Sequence, residues 1–407
     1  MPAPLPLRRL LAAAAIALLL PALPAEAQEL EMRVAYLGQV VDRPPTLANI
    51  DPPPDDEGLQ GARLGIADNA ATGRFLKHRY ALDTVVVPAG GDPAAALRAL
   101  AAAGHRFVVV NLQAPALEQV LATPEAAGMT LFNAGAPDDH LRNAGCRPFL
   151  LHTLPSRAML GDALAQFLVK KRWPRWFLVT GPRPEDALYA DAVRRAAKRF
   201  GAKIVAEKAW TGDHDLRRSA QAEVSLFTQG PDYDVLVVAD EAGDFGAYLP
   251  YQTWDPRPVA GTAGLVPTAW ARPVEQWGAL QLQSRFRAQA GRSMTSVDYA
   301  AWAAVRTVGE AVTRTRSTDH ATLAAAIRAP DFEMAGFKGR RLSYRAWDGQ
   351  LRQPVPLVTG AALVSESPQE GFLHPVTDLD TLGHDRAESG CTRSEEHTSE
   401  LQSHSFI

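Results

Sequence analysis

The segment from residue 149 to 210 alternates between short apolar runs and amphipathic stretches, and this alternation restricts the fold more than any other feature of the chain. Three runs, FLLHTLP (149–155), WFLVTG (176–181) and KIVAEKAW (203–210), have the length and apolarity of buried strands. Apolar residues recur at helical spacing between them, and the second helical stretch stops at Gly201, which suits a left-handed C-cap. This pattern predicts a parallel sheet with helices on both faces.

The same alternation occurs once before, between residues 32 and 133. Asp92-Pro93, an N-cap residue followed by a first-turn proline, opens one of its helices. Its strands are MRVAYLG (32–38), ALDTVVVPAG (81–90), FVVVN (107–111) and MTLFN (129–133), with a further helix around 115–127 before the last of them. Two such series predict an α/β protein with two Rossmann-like lobes, each containing a parallel sheet, and a cleft between them.

The chain after residue 210 completes the second series. Asp348-Gly349 lies between two arms of alternating polarity, which predicts a hairpin within residues 340–360. The other expected elements are a helix near 216–227, the strand DVLVVADE (234–241), a short strand and loop at 258–270, and helices at about 274–290, 296–315 and 319–328.

The first 27 residues have the pattern of an export signal. Arg8 and Arg9 precede an apolar run of eleven residues, Leu10–Leu20, and Ala25-Glu26-Ala27 matches a small-x-small cleavage site. The mature chain would then begin at Gln28. The alternative is a membrane anchor, although about 20 apolar residues are needed to span a bilayer.

The other end has a different origin. Residues 393–404 read RSEEHTSELQSH, which resembles the in-frame translation of a short-read sequencing adapter. We therefore expect the biological sequence to break off near Thr392, and residues 393–407 to lack a packed conformation. His397 and His404 fall in this tail and carry no functional argument.

Composition excludes some classes of partner. A formal net charge of −3 gives no basic excess that would favour nucleic acid. The roughly 365 residues between the two excluded ends suit two domains rather than one. The only two cysteines, Cys146 and Cys391, favour a disulfide in an exported chain, while two separate thiols remain the alternative.

No motif of a known enzyme class is present. The sequence lacks GxSxG, a Walker loop, HExxH and GxGxxG after a strand, so we expect neither catalytic residues nor a metal site. Asp213-His214-Asp215 reads as a solvated loop rather than a metal site. Asp240 and Glu241 end a parallel strand, where open α/β sheets bind ligands; cleft function and ordinary surface both remain open. Trp210 and Trp270 also follow strands and would belong to the core or line the cleft.

These elements together resemble a known family. The export signal, the two α/β series, "FLLHTLPS" before a crossover helix, "SVDYAAWAAVRTVGEAV" and the late hairpin resemble the type I periplasmic binding proteins, the Leu/Ile/Val-binding-like solute receptors of ABC transporters. The resemblance spans about residues 31–375. It implies a periplasmic receptor that closes on a small-molecule ligand at a hinge, works with ABC transporter membrane subunits and needs no cofactor.

A narrower resemblance rests on longer strings. "PPPDDEGLQGARLGIADNAATGRFL", "NAGAPDDHLR", "LLHTLPSRAMLGDALAQFLVKKRW" and "LDTLGHDRAESGC" are similar to a subgroup encoded beside pyrroloquinoline-quinone (PQQ)-dependent alcohol dehydrogenase systems. This subgroup implies an alternative function, an accessory protein that docks on a periplasmic quinoprotein dehydrogenase and transports nothing.

The resemblance also suggests lobe boundaries and ligand-binding positions. The N-terminal lobe would comprise residues 28–153 and about 271–335, and the C-terminal lobe 154–270 and about 336–392. The ligand-binding candidates are Gln39, Asn111, Gln113, Ala134, Gly135, Asp138, Ser156, Asp240 and Glu241.

The candidate positions differ from those of amino-acid-binding relatives. Such relatives place hydroxyl side chains after the third and fourth strands, whereas this chain has Asn111-Leu112-Gln113 and Asn133–Pro137 there. They also place a Glu after a later second-lobe strand, and the stretch 261–270 contains no acid. Because an unpaired buried charge is costly, a zwitterionic amino acid should bind poorly. We expect backbone N–H groups near Ala134–Ala136 to anchor a ligand oxygen, and the acids at 240–241 to receive a donor or cation.

Overall fold

The computed structural model describes residues 29–42, 53–210 and 223–391. The expected export signal, the adapter-like tail and the loop Asp213-His214-Asp215 lie outside this part of the chain. Of the helix expected near 216–227, only residues 223–227 are described, and they are helical. None of the helices in the described part combines the length and apolarity needed to cross a bilayer.

Two parallel sheets form the centres of two lobes, as the alternation of strands and helices predicts. The first sheet has the order β2-β1-β3-β4-β5 and the second β7-β6-β8-β9, while β10-β14-β15 and β11-β12-β13 form small antiparallel sheets. The strands are β1 Leu30–Gln39, β2 His78–Val87, β3 Phe107–Asn111, β4 Thr130–Asn133, β5 Leu150–His152, β6 Arg175–Thr180, β7 Lys203–Ala209, β8 Val235–Ala239, β9 Val259–Gly261, β10 Val266–Pro267, β11 Met334–Ala335, β12 Arg341–Tyr344, β13 Leu351–Arg352, β14 Val355–Val358 and β15 Leu363–Ser367.

Helices cover both sheets. They are α1 Leu59–Leu76, α2 Pro93–Ala102, α3 Ala114–Leu121, α4 Arg157–Lys170, α5 Pro184–Phe200, α6 Ala279–Ala290, α7 Ser296–Thr315 and α8 His320–Arg328. In the first lobe, α1 and α7 approach each other at glycines. A Cβ atom at Gly61 would lie 1.9 Å from the backbone oxygen of Asp298, so a side chain at residue 61 would push the two helices apart.

Some boundaries differ from the sequence predictions. The helix expected at 274–290 begins only at Ala279, because Gly278 holds a left-handed conformation (φ 84°) that stops a helix from extending backwards. The short strand and loop expected at 258–270 are present as β9, and the loop also contains a second short strand, β10. The predicted hairpin is present as β12 and β13, with Tyr344 opposite Leu351 and Gly349 at φ 72° in the turn.

Each lobe has its own apolar core, and the last part of the chain contributes to both. The predicted boundary after residue 153 falls between β5 of the first sheet and α4 of the second lobe. Leu342 and Leu351, which lie in the section assigned to the C-terminal lobe, pack in the core of the first lobe. Leu357 and Leu382 from the same section pack in the core of the second.

A buried polar network holds the connection between the lobes. The guanidinium of Arg142 donates to the backbone oxygens of Ala136, Asp138 and Leu154 and to the side-chain oxygen of Gln350, at 2.8–3.0 Å. Burial lowers the pKa of Arg142 to about 10, against the opposing effect of nearby carboxylates. This arginine therefore stays charged at neutral pH and fixes the chain on both sides of the crossover.

The two cysteines form a second connection. A disulfide joins Cys146 and Cys391, whose Cα atoms lie 5.8 Å apart. Cys146 belongs to the first-lobe segment before β5. The C-terminal segment that carries Cys391 is held on the second lobe, where the backbone N–H of Gly383 donates to buried Asp162. The disulfide therefore ties the end of the chain across the two lobes.

Candidate functional site

The carboxyl ends of the two parallel sheets lie on either side of the connection between the lobes. Asn111 ends β3 in the first lobe, and Asp240 and Glu241 follow β8 in the second. Ligands of open parallel α/β sheets bind outside these strand ends, where the loops diverge. This region is therefore the candidate site, and it contains all nine predicted positions.

An open cavity lies at the first-lobe edge. Its volume is about 460 Å³, within the range of small-molecule pockets. The lining is mainly polar and consists of Gln39, Gly90, Gly91, Asp92, Gln113, Pro115, Ala116 and Gln119. The amide of Gln39 donates to the backbone oxygen of Gly91 at 3.2 Å, and the Asp92 carboxylate caps helix α2. Two predicted residues, Gln39 and Gln113, thus share one cavity.

Asn111 supports the edge rather than lining this cavity. Its amide nitrogen donates to the hydroxyl of Tyr36 at 3.0 Å and to the backbone oxygen of Glu57 at 2.9 Å. Burial raises the pKa of the Tyr36 phenol, which therefore stays neutral. A Cβ atom at Gly135 would lie 2.6 Å from the side-chain oxygen of Asn111, so only glycine allows this close approach.

The turn after β4 uses its own backbone donors. The N–H of Ala134 donates to the Val110 oxygen at 3.0 Å. The N–H groups of Gly135 and Ala136 donate to the side-chain oxygen of Asn133 at 3.2 and 2.9 Å. A ligand oxygen would have to compete with these acceptors for the N–H groups of the turn. The contacts therefore do not favour the anchoring role expected of the turn, which stays a prediction.

An ion group joins the two lobes. The guanidinium of Arg157, the first residue of α4, holds Glu241 in a bidentate pair with distances of 2.7–3.0 Å. It also pairs with Asp138 of the first lobe at 2.9 Å. Only 6% of the Arg157 side chain is exposed, against 11% for Asp138 and 21% for Glu241. Two predicted acids are therefore brought together by an arginine that the sequence predictions missed.

The position of Arg157 was a usable sequence signal. A cation in the first turn of a helix opposes the helix dipole, so it needs a specific reason to be there. The reason is the pair of carboxylates that it neutralises. Burial raises the pKa of Glu241, since the contact with Arg157 offsets only part of the cost of desolvating the carboxylate.

Asp240 and Ser156 hold local backbone. The Asp240 carboxylate accepts hydrogen bonds from the N–H groups of Asp244, Phe245 and Gly246 at 2.6–3.0 Å, which fixes the loop after β8. The Ser156 hydroxyl accepts from the N–H of Met159 and caps α4. Both residues lie at the predicted edge, but their polar atoms have structural partners.

A third carboxylate, which sequence reasoning did not select, completes the second-lobe edge. Asp186 is fully buried and accepts from the N–H of Glu241 at 2.7 Å and of Arg183 at 3.1 Å. Burial raises the pKa of Asp186, and the nearby Asp240 charge adds to this effect. Arg183 pairs with Asp244 at 2.6 Å. The second-lobe edge is thus rich in carboxylates.

Comparison with known proteins decides the family. A family model described as periplasmic binding protein matches residues 55–362. The chain belongs to the periplasmic binding protein family. No match was found among curated proteins.

Solved structures show the same two-lobed fold. This periplasmic binding protein is similar to a branched chain amino acid ABC transporter periplasmic ligand-binding protein from Burkholderia xenovorans, with 15% identity over 89% of this chain and 100% of the other and a TM-score of 0.68. It is also similar to an amino acid ABC transporter substrate-binding protein from Pseudomonas fluorescens (15% identity, 89% and 99% covered, TM-score 0.63). A branched-chain amino acid transporter substrate binding protein from Streptococcus pneumoniae, in complex with isoleucine, matches with 16% identity (83% and 99% covered, TM-score 0.61). These likenesses confirm the predicted fold class.

Two tryptophans do not line the cleft of this periplasmic binding protein. Trp210 stacks on Phe245 with ring centroids 4.9 Å apart, and Trp270 stacks on Tyr299 at 4.6 Å. Both indoles are almost fully buried and belong to the core. Across the described part of the chain, no three His, Cys, Asp or Glu side chains form a group suited to a metal ion.

Proposed function

We propose that the chain is a periplasmic solute-binding receptor of an ABC transporter, and that its ligand is a neutral or cationic small organic molecule. The family assignment, the two lobes and the expected export signal support the receptor role. Two of the similar solved structures are a substrate-binding protein and a periplasmic ligand-binding protein of ABC transporters. A ligand held between strand ends of both lobes would favour the closed form through hinge motion.

The proposed charge class of the ligand rests on the balance of charge at the two edges. The first-lobe cavity is lined by three glutamines and one carboxylate, with no cation among its residues. The second-lobe edge has Asp186, Asp240, Glu241 and Asp244, and in the described part of the chain Arg157 and Arg183 are the arginines that form ion pairs with these acids. Arg157 is further shared with Asp138. This excess of negative charge favours a neutral hydrogen-bonding molecule or a cation and opposes an anion.

The same features argue against leucine, isoleucine and valine. The carboxylate of an amino acid needs free donors, and the backbone donors at Ala134, Gly135 and Ala136 already have protein acceptors. No hydroxyl side chain stands in the stretches 111–113 and 133–137. Leaving the carboxylate without donors in a closed cleft would cost most of the binding energy.

The connection to alcohol oxidation is part of the proposal and rests on the sequence strings quoted above. It suggests a ligand linked to a PQQ-dependent alcohol dehydrogenase system, either a compound from alcohol oxidation or a molecule related to the cofactor. The accessory-protein alternative rests on the same strings and would make the dehydrogenase, not a small molecule, the partner.

Thermal-shift screening of the purified mature chain separates the two functions. A receptor should melt at a higher temperature in the presence of at least one neutral or cationic small molecule and be unaffected by a purified quinoprotein dehydrogenase. An accessory protein should respond to the dehydrogenase and to no neutral or cationic small molecule, and this result would overturn the receptor proposal.

Calorimetry with leucine, isoleucine and valine tests the ligand class. We expect Kd values above roughly 1 mM, which corresponds to a binding free energy of only about 4 kcal/mol. Micromolar binding of leucine would restore an amino-acid receptor and remove the argument from charge.

A further inference from the structure

A second cavity lies away from the candidate site, at the opposite edge of the first sheet. Its volume is about 370 Å³. It is bounded by the start of β4 (Met129 and Thr130), by the segment that enters β5 (Pro148 and Phe149) and by helix α8. Because the ligand cleft of a parallel sheet lies at the carboxyl ends of its strands, this cavity at the amino ends is a separate space.

The lining combines an apolar body with cationic groups. The complete lining is Ala127, Met129, Thr130, Pro148, Phe149, Leu151, His320, Arg328, Tyr344, Arg345 and Ala346. It contains two guanidinium groups and no carboxylate, which is the reverse of the charge pattern at the candidate site. A ligand here would need an anionic group and an apolar remainder.

The two arginines differ in their partners. The Arg345 guanidinium is paired with Asp380 at 2.8 Å and donates to the backbone oxygen of Leu382, so its charge is already balanced. Arg328 donates to the backbone oxygens of Ala324 at 3.2 Å and Pro148 at 3.1 Å. No carboxylate among the described residues pairs with Arg328. Its charge is available to an anion from outside.

Because Arg328 is partly buried, an anion that pairs with it would stabilise its charge more than at a fully exposed site. Desolvation lowers the pKa of Arg328, which shows that the surroundings disfavour an isolated positive charge. His320 lines the same cavity and shares a hydrogen bond of 3.0 Å with the Thr130 hydroxyl. Its ring packs edge-on against Phe107. Burial lowers the pKa of His320, so the imidazole is neutral and Arg328 supplies the unbalanced charge.

We propose that this cavity binds a small organic monocarboxylate anion that has an aromatic or branched aliphatic body and no ammonium group, since the lining contains no carboxylate. The carboxylate would pair with the free N–H groups of Arg328, a geometry that guanidinium groups favour. The body would lie against Met129, Phe149 and Leu151. Charge-assisted pairing in a partly desolvated pocket, together with apolar contact, provides two independent sources of affinity.

Calorimetry of the purified mature chain with phenylacetate tests this site. We expect saturable binding of phenylacetate, and at least a tenfold weaker response to 2-phenylethanol, which has the same ring but no charge. Acetate, which has the charge without the ring, should also bind at least tenfold more weakly. Equal binding of all three, or no binding of phenylacetate, overturns the proposal.

Variants locate the binding. Arg328→Gln should weaken phenylacetate binding at least tenfold, while Arg287→Gln, which removes an exposed arginine from α6, should leave it unchanged. Ala127→Phe would place a large side chain in the lining of the cavity from an exposed position and should also abolish binding. It provides a test that does not depend on the stability of the Arg328 variant. Retained affinity in Ala127→Phe, with an unchanged circular dichroism spectrum, would place phenylacetate elsewhere.

Discussion

The two strand edges that form the candidate site differ in how far their polar side chains are already bonded to other groups of the protein. At the first-lobe edge, Gln113 is exposed and lines an open cavity. Its side chain makes no capping hydrogen bond to helix α3, although it occupies the N-cap position. At the second-lobe edge, Asp240 and Glu241 are bonded to backbone N–H groups and to Arg157. A polar residue at a strand end is therefore not automatically a ligand-binding group. The Gln113 amide caps no helix, whereas the carboxylates of the second-lobe edge hold their own loops.

The ion group between the edges gives the largest expected effect. Arg157→Ala would leave Glu241 and Asp138 largely buried without their shared arginine partner, and removal of one partner from a buried ion group costs about 3–5 kcal/mol. Urea unfolding should show this loss as a lower midpoint.

Arg183→Ala is the matched control for Arg157→Ala. Arg183 also pairs with an acid at the second-lobe edge, but 32% of its side chain is exposed, so we expect a loss of about 1 kcal/mol or less. If both variants lose the same amount of stability, the ion group does not hold the two lobes together as the structure suggests.

A smaller loss is expected from Asp240→Asn. An asparagine offers one acceptor oxygen in place of a carboxylate that serves three backbone N–H groups, so at least one donor in the loop after β8 loses its partner. The expected cost is about 1–3 kcal/mol in the free energy of unfolding.

The control for Asp240→Asn is Asp331→Asn, which makes the same change at an exposed position and should leave the free energy of unfolding unchanged. If Asp240→Asn is equally stable but loses affinity for a ligand found by screening, Asp240 binds that ligand directly and the contrast between the edges fails at this residue.

The first-lobe edge should respond in the opposite way. Gln113→Ala removes an exposed amide from the cavity and should weaken binding of the screened ligand about tenfold, or about 1.4 kcal/mol. We expect its unfolding free energy to change by less than about 0.5 kcal/mol.

The exposed Gln281→Ala on α6 serves as the control for Gln113→Ala and should change neither quantity. Undiminished affinity in Gln113→Ala would move the ligand away from the cavity at the ends of β1 and β3.

The smallest effect concerns pH. Folding raises the pKa of Asp186, so the proton bound by the native state adds stability that is fully present below about pH 4, the pKa of an unfolded Asp. This contribution disappears as the pH rises through the higher native pKa.

The unfolding free energy of the wild type minus that of Asp186→Asn should therefore be larger at pH 4 than at pH 7. The corresponding difference for Gln113→Ala should not change with pH, because no carboxyl group is removed. A difference for Asp186→Asn that increases from pH 4 to pH 7 would contradict the raised pKa.

Sequence reasoning placed the candidate residues after strands, and the structure has strands ending there, because strand ends can be read locally. An apolar run such as DVLVVADE fixes its own strand, and the residue type at its end follows directly from the sequence. It did not select Arg157 or Asp186, although both lie beside predicted residues. Arg157 reaches Glu241 across 84 positions of sequence, and nothing in the local pattern of either residue indicates the other.

The sequence by itself determined the α/β class, the two parallel sheets and the hairpin around Gly349, because periodicity, caps and turn residues act over a few positions. Only the tertiary structure decided which polar groups at the strand ends are free. It placed Arg157 between carboxylates of both lobes, bonded the turn amides at Gly135 and Ala136 to Asn133, and left Arg328 without an acid. Whether a donor or a charge has a partner depends on distances between elements that are remote in sequence, and the folding of the whole chain sets those distances.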